Sequence, residues 1–219
     1  MKEKEGIVFS IAKDNAPVPG CTVSKPIMDT ADYGIAYFSI AGGTDISAES
    51  YGYPKLLLVD GGEMTVYLSD GTKWVLGKGD GLVTPMGAPV GMKSEIGAVY
   101  TEIRLKEDTV MMNQALRDGT VFKLAELLPY QEGRIVNRDL ISDPKLKFVV
   151  MSFDAGTGLS EHAAPGEALV FALDGKGIIG YEGKEHPIQA GECFKFAKGG
   201  KHSVKAEGKF KMALLLTLE

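Results

Sequence analysis

The chain repeats itself, and the repeat limits the folds open to it more than any other feature. In one half, Lys55-Leu56-Leu57-Leu58-Val59 runs into Asp60-Gly61-Gly62. In the other, Ala168-Leu169-Val170-Phe171-Ala172-Leu173 runs into Asp174-Gly175. A short strand-like run follows each, Met64–Leu68 and Gly177–Tyr181. Then come a turn (Ser69-Asp70-Gly71; Glu182-Gly183), another strand, and a second glycine–acid pair, Gly79-Asp80 and Gly191-Glu192. Both halves close on an alternating strand, Ala98–Leu105 and Phe210–Leu218. Self-similarity of this kind marks a duplicated unit, here of roughly 80 residues per copy, near the lower end of domain size. The 28 glycines are well above the ~7% average, and most fall between short apolar runs. Many tight turns between short strands predict an all-β fold.

The segment between the copies carries the helical signals. Val110, Met111, Ala115 and Leu116 have a helix-like spacing, and Asp118-Gly119 supplies a stop, so a helix is expected over 109–117. A second short helix is expected from Phe122 to Leu128, before Pro129. Near the N-terminus one strand, Gly6–Ala12, is expected before the loop through Pro17-Val18-Pro19-Gly20. The expected organisation is an N-terminal domain over 1–105, a helical connector over 106–130 and a C-terminal domain over 131–219.

Composition narrows the function classes. The net charge is -5, and no two Lys or Arg residues are adjacent. That is not the basic footprint of a nucleic-acid binder. No apolar stretch approaches the roughly 20 residues of a spanning helix, so no membrane partner is expected. The mixed-charge N-terminus, Met1-Lys2-Glu3-Lys4-Glu5-Gly6, does not read as a secretory signal. Cys21 and Cys193 are expected as reduced thiols of a cytoplasmic protein. Exposed sheet edges predict a homodimer.

The chemistry-bearing residues cluster in the second half. His162 and Glu167 flank a short loop, and His202 follows Gly199-Gly200-Lys201 on the far side of a hairpin. An antiparallel meander can bring these segments together, giving two imidazoles and a carboxylate, a mixed N/O metal set with open positions. His186 precedes Pro187 in a hairpin strand away from both segments and reads as a surface histidine. Glu161 alternates with His162 and should point away from the site. Lys198 and Lys201 read as surface lysines, and Gly199-Gly200 is not followed by a helix, which argues against a phosphate loop.

These residues resemble the two motifs of the cupin superfamily. The first motif pairs His-x-His with a Glu that follows after three or four intervening residues. His162 matches its second histidine and Glu167 its glutamate, while Ser160 stands where the first histidine would be. In the second motif Gly191, Gly199 and His202 match, but Ala197 replaces the proline and Ala206 the asparagine. The stretch Leu159–Ala168 is also similar to a group of small bacterial cupins of unassigned activity. The resemblance implies two jelly-roll (cupin, RmlC-like) β-barrel domains, a bicupin. It further implies a divalent transition metal (Fe, Mn, Ni, Zn or Cu) on His162, Glu167 and His202, acting on a small polar metabolite. Ser160, Phe171 and Cys193 are candidate pocket residues. Aligning Asp60-Gly61 with Asp174-Gly175 puts Ala48 opposite His162 and Tyr53 opposite Glu167; the later glycine–acid pairs put Val90 opposite His202. On that alignment the first copy has lost every ligand. The alternative functions are non-catalytic binding of a sugar or organic acid, and a purely structural bicupin without metal.

Overall fold

The protein is described from a computed structural model, covering residues 1–106 and 111–218. Among these residues the strands are β1 (Val8–Phe9), β2 (Thr22–Asp29), β3 (Tyr33–Ile40), β4 (Thr44–Glu49), β5 (Lys55–Leu68), β6 (Lys73–Gly77), β7 (Asp80–Val83), β8 (Val90–Ser94) and β9 (Ala98–Leu105). They continue as β10 (Met111–Met112), β11 (Phe122–Lys123), β12 (Ile135–Ser142), β13 (Leu146–Phe153), β14 (Gly158–Ala163), β15 (Glu167–Tyr181), β16 (Lys184–Gln189), β17 (Cys193–Phe196) and β18 (Lys201–Thr217). The all-β expectation holds, and each half curls its antiparallel strands into a jelly roll.

The two halves use one plan. In the first, β11-β7-β5-β9-β3-β2 forms one layer, and β6, the far half of β5, β8 and β4 form the other. In the second, β1-β17-β15-β18-β13-β12-β10 is one layer, and β16, β14 and the far halves of β15 and β18 are the other. The outermost short strands cross between halves. β1, near the N-terminus, pairs with β17 (Val8↔Phe194), so it extends the sheet of the second half. β11, from the connecting segment, takes the matching place beside β7 in the first half (Phe122↔Gly81).

The connector departs from expectation. Residues 111–117 are not helical; Met111–Met112 pairs with Ile141–Ser142 as an edge strand. Thr109 and Val110 of the expected helix lie outside the described residues. A short apolar run with partly helical spacing serves a strand equally well once a partner edge is available. Of the second expected helix only a single 3-10 turn, Leu124–Glu126, forms. The expected strand over 6–12 shortens to Val8–Phe9, because Ser10 caps a one-turn helix, Ile11–Asp14, through its side chain to the Lys13 amide.

Strand alternation divides the apolar residues into three cores. Leu56, Leu58, Ile103 and Leu105 of the first half pack with Phe148, Leu169, Phe171 and Leu215 of the second, forming a seam between the barrels. The residues one position along face the barrel interiors: Leu57, Val59 and Tyr100 in one, Val170, Ala172 and Met212 in the other.

Register fixes the equivalence of the copies. Val59 pairs with Tyr100 and Ala172 with Met212, and in each strand a bulge follows, at Asp60 and at Leu173. Gly62 and Gly175 then share a left-handed backbone, φ 74° and 73°. A Cβ there would overlap the Gly97 or the Lys209 carbonyl oxygen, so glycine is required at both. Asp60 therefore corresponds to Leu173, one residue away from the Asp-Gly alignment. A one-residue slip moves every side chain to the other face, and this correction changes which residues share a site.

Candidate functional site

The structure brings together two of the three expected metal ligands. His162 of β14 pairs in register with His202 of β18, and the ring centroids are 4.2 Å apart. His162 is exposed, whereas His202 is buried and stacks on Phe196 at 4.0 Å. Each Nδ1 hydrogen-bonds a backbone carbonyl two residues earlier, Ser160 at 2.9 Å and Gly200 at 3.1 Å. With Nδ1 as the donor, Nε2 carries the free lone pair. Burial, and then the neighbouring His162, hold His202 below the ordinary histidine pKa.

Glu167 does not join them. It opens β15 and pairs with Thr217 at the end of β18, while His202 stands near the start of β18, opposite Tyr181. Its carboxylate bonds to Lys195 Nζ at 2.6 Å and to the amino group of Met1. The reason is strand parity. Glu167 alternates with Ala168 and Val170, which face the barrel interior, and shares its face with Leu169 and Phe171 of the seam. Among the described residues no three His, Cys, Asp or Glu side chains gather to hold a metal ion. The interior behind the histidines is filled by Phe153, Phe194, Phe196 and Phe210. Two imidazole nitrogens without a third protein donor do not fit the expected three-ligand metal centre.

The candidate pocket residues also lie apart. Ser160 is exposed on β14. Phe171 and Cys193 line a small cavity of about 100 Å³ in the seam, with Asp60, Lys78 and Glu192. Burial pushes the Cys193 thiol up, which makes it an inert apolar group. Burial also raises the Asp60 carboxyl to about 7, against a hydrogen bond from Thr101 Oγ1 at 2.8 Å and the attraction of Lys78. A carboxyl raised on folding leaves stability fully present below pH ~4, its unfolded pKa, and lost as pH rises through the folded value. Asp60→Asn should therefore melt higher than the parent above pH 8 and converge with it near pH 4. The gain is about 2 kcal/mol, less than full linkage because water reaches the carboxylate, or roughly 4–8 °C in Tm. Melting curves from pH 4 to pH 9 check this.

The site that sequence reasoning missed is inside the first barrel. A cavity of about 200 Å³ is lined by Glu49, Tyr51, Lys55, Tyr100, Glu102 and Arg104, among others. Tyr100, Glu102 and Arg104 alternate along β9, so all three point inward, and Lys55 pairs with Arg104 across β5. Lys55 and Glu102 are 7% and 4% exposed. Their contact is 3.4 Å, and Glu102 lies 3.7 Å from Arg104 Nε, which itself reaches Asp29 through NH2 at 3.4 Å. Lys55 Nζ also sits over the Tyr51 ring, 3.5 Å from its centroid, and the Tyr51 hydroxyl bonds to Glu49. The Tyr100 hydroxyl is buried and has no hydrogen-bond partner among the described residues. Burial raises Glu102 against the pull of Lys55 and Arg104, and lowers Lys55 against the pull of Glu102.

Register shows how unlike its twin this interior is. Tyr100, Glu102, Arg104 and Lys55 correspond to Met212, Leu214, Leu216 and Ala168. Glu49, which pairs with Val90, takes the position of His162, which pairs with His202. The signal for this site was present in the sequence. Two ionisable residues two apart, within the apolar strand Ala98–Leu105, have no counterpart in Phe210–Leu218.

Comparison with known proteins places the fold. Residues 149–218 match the family model described as Cupin domain. Among solved structures, a Cupin 2 conserved barrel domain protein from Leptotrichia buccalis is 28% identical with a TM-score of 0.86, over 99% of this chain and 98% of that one. A putative glyoxylate induced protein from Pseudomonas aeruginosa is 17% identical with a TM-score of 0.61, over 90% and 79%. A salicylate 1,2-dioxygenase from Pseudoaminobacter salicylatoxidans, in an adduct with gentisate, is 12% identical with a TM-score of 0.64, over 96% and 80%. The last two likenesses are of fold alone. No curated protein matches the chain, and no helix among the described residues is long and apolar enough to cross a membrane.

Proposed function

The chain belongs to the cupin superfamily, and from that premise we propose that it binds a small polar molecule inside its first barrel. One observation carries the reading: the first barrel keeps Lys55, Tyr100, Glu102 and Arg104 where the second has Ala168, Met212, Leu214 and Leu216. Burying charge is expensive, and a well-packed apolar interior is often as stable or more so. A barrel that retains a charged interior around a cavity, beside a twin that fills the same space with hydrocarbon, is built to receive a polar ligand. At roughly 30 Å³ per water molecule, the 200 Å³ cavity has room for about seven waters, the size of a small metabolite. The second barrel is read as the packed support of the first.

The test is a melting-temperature panel of sugars, polyols and small organic acids, on protein purified without a metal-affinity tag. A ligand at about a hundred times its Kd should add roughly 2.7 kcal/mol, a rise of about 5–10 °C. The rise should vanish in the Lys55→Met/Glu102→Leu double variant. Stoichiometric Fe, Mn, Ni, Zn or Cu that is lost in His162→Ala would overturn this reading in favour of a metal centre in the second barrel.

A further inference from the structure

Outside both barrel interiors, the seam encloses a cavity of about 100 Å³. Two equivalent turns, one from each half, frame its mouth. Gly79 N–H donates to the Val59 carbonyl at 2.8 Å and Gly191 N–H to the Ala172 carbonyl at 2.9 Å, the same strand position in each copy. Leu58, Phe171 and Cys193, all buried, wall its depth. The halves differ in what they send in. The first contributes Asp60 and Lys78, where the second has Leu173 and Ala190. Asp60 is half-buried, and Thr101, whose Oγ1 donates to Oδ2 at 2.8 Å, is its one hydrogen-bond partner among the described residues. Lys78 Nζ does not pair with it; that ammonium lies over Gly191, 3.3 Å from where a Cβ would stand. An ionised carboxylate beside apolar walls, without a counter-ion in contact, is costly. The twin closes the equivalent place with the hydrocarbon of Leu173.

The charges around the cavity select the sign of its occupant. Asp60, Asp80 and Glu192 line it against Lys78 alone. Asp80 is already bonded to Lys123 at 3.1 Å and to the Gly77 N–H at 2.8 Å, and Glu192 accepts the Gln189 N–H at 3.0 Å. Burial first, with Asp60 and Glu3 among the further causes, pushes the Cys193 thiol and the Tyr37 hydroxyl up, so both stay neutral. A cation is drawn into this field and an anion repelled. The volume sets the size. A cavity of about 150 Å³ holds a benzene-sized molecule, so this one takes roughly four non-hydrogen atoms. We propose that the seam cavity binds a primary alkylammonium ion of about three carbons, its nitrogen donating to the Asp60 carboxylate and its chain lying along Leu58, Phe171 and Leu173. Both halves wall this site, so the bound ion bridges the barrels. The site is separate from the first-barrel cavity, and either can exist without the other. Asp60 pairs with the cation only when ionised, and burial raises its carboxyl to about 7 against Thr101 and Lys78. Affinity therefore climbs as pH rises toward neutrality and levels off above it.

The experiment is a calorimetric titration with n-propylammonium chloride at constant ionic strength, beside propan-1-ol, propionate and tetramethylammonium. So small a ligand has a Kd of roughly 10⁻⁴ M at the ceiling of ligand efficiency, so the titration runs into the millimolar range. The expected result is saturable binding of propylammonium at pH 8, weakening about tenfold for each pH unit below about 7. The amine, like a lysine, stays protonated throughout. Asp60→Asn should weaken binding by roughly 10–100-fold, the worth of a hydrogen bond to a charged group, and remove the pH dependence. Lys78→Met should tighten it several-fold by removing the repelling charge. Leu173→Phe keeps every charge and narrows the cavity from the other half, and it should weaken binding too. Circular dichroism establishes that each variant is folded. Propan-1-ol bound as tightly as propylammonium overturns the ion pair. Tetramethylammonium bound as tightly overturns the N–H donation to Asp60. Propionate binding that tightens as pH falls overturns the sign of the ligand's charge. Affinity unchanged in folded Asp60→Asn overturns the site, and no propylammonium binding at pH 8 overturns the proposal outright. The sugar, polyol and acid panel for the first barrel is unaffected by these results, so the two sites stand or fall separately.

Discussion

Glu102→Leu alone should cost the fold about 3 kcal/mol, and Lys55→Met alone a similar amount, while the two together should cost less than either. The reason is what each single change leaves behind. Glu102→Leu strips Lys55, 7% exposed, of its contacting carboxylate, leaving the Tyr51 ring over its ammonium and the weaker attraction of Glu49. Lys55→Met leaves Glu102 with Arg104 at 3.7 Å as its remaining cation. In the double variant neither buried charge is present, and the barrel wall comes to resemble the twin's, where Leu214 and Ala168 hold the same places. The coupling energy from the double-mutant cycle should exceed about 3 kcal/mol in magnitude, well outside the ~0.5 kcal/mol expected of independent sites. Urea titrations of the four proteins measure it. Additive losses would mean that the pair is not a unit. The trade expected here is between stability and binding, since the double variant should be robust and have no ligand.

Phe148→Ala should lower stability by about 3–5 kcal/mol, the usual range for deleting a fully buried aromatic ring. That corresponds to roughly 6–20 °C at this chain length. Phe148 is 0% exposed and meets Phe171 edge-on at 6.3 Å, within the core that both halves share. The informative part is where the loss is felt. The chain has one tryptophan, Trp74, in the first half, with its indole N–H donating to the Gly119 carbonyl at 2.8 Å. Phe148 is in the second half. If the seam makes the two barrels one cooperative unit, Trp74 fluorescence should melt together with far-UV circular dichroism, and both should shift equally in the variant. A fluorescence transition that stays in place while the other moves would show that the halves unfold separately.

The duplication and the all-β class were legible because they rest on glycine–acid turns, and turns have strong local chemistry. Register was not. Lys55-Leu56-Leu57-Leu58-Val59 is apolar on both faces after its lysine, since one face lines the barrel and the other the seam. A strand buried on both sides carries no alternation from which to read parity. Matching Asp60 to Asp174 then shifted the frame by one, which put Ala48 opposite His162 and concealed the equivalence of Glu49 and His162; Glu167 was placed with the histidines by motif, without regard to which face of its strand it occupies. The His162–His202 approach was legible, because it depends on hairpin order and not on face. The first barrel's cluster went unseen for another reason. Reading by motif asked whether histidines recurred, and Tyr100, Glu102 and Arg104 belong to no motif. The cross-half pairing of Val8–Phe9 with Cys193–Phe194 has no local signature, because it joins opposite ends of the chain.

That last pairing ties assembly to the order of synthesis. Val8 and Phe9 leave the ribosome long before their partner edge, Cys193–Phe194, is made. At ~5–20 residues per second the wait is roughly ten to forty seconds. For that interval the first barrel has its own closing strand, Phe122–Lys123, only after its midpoint linker emerges, and the apolar N-terminal segment has no sheet to join. The edge of the second sheet thus stays open to its N-terminal strand until β17 has been translated, and closure of that sheet doubles as a check that translation has passed the Gly191-Glu192 turn.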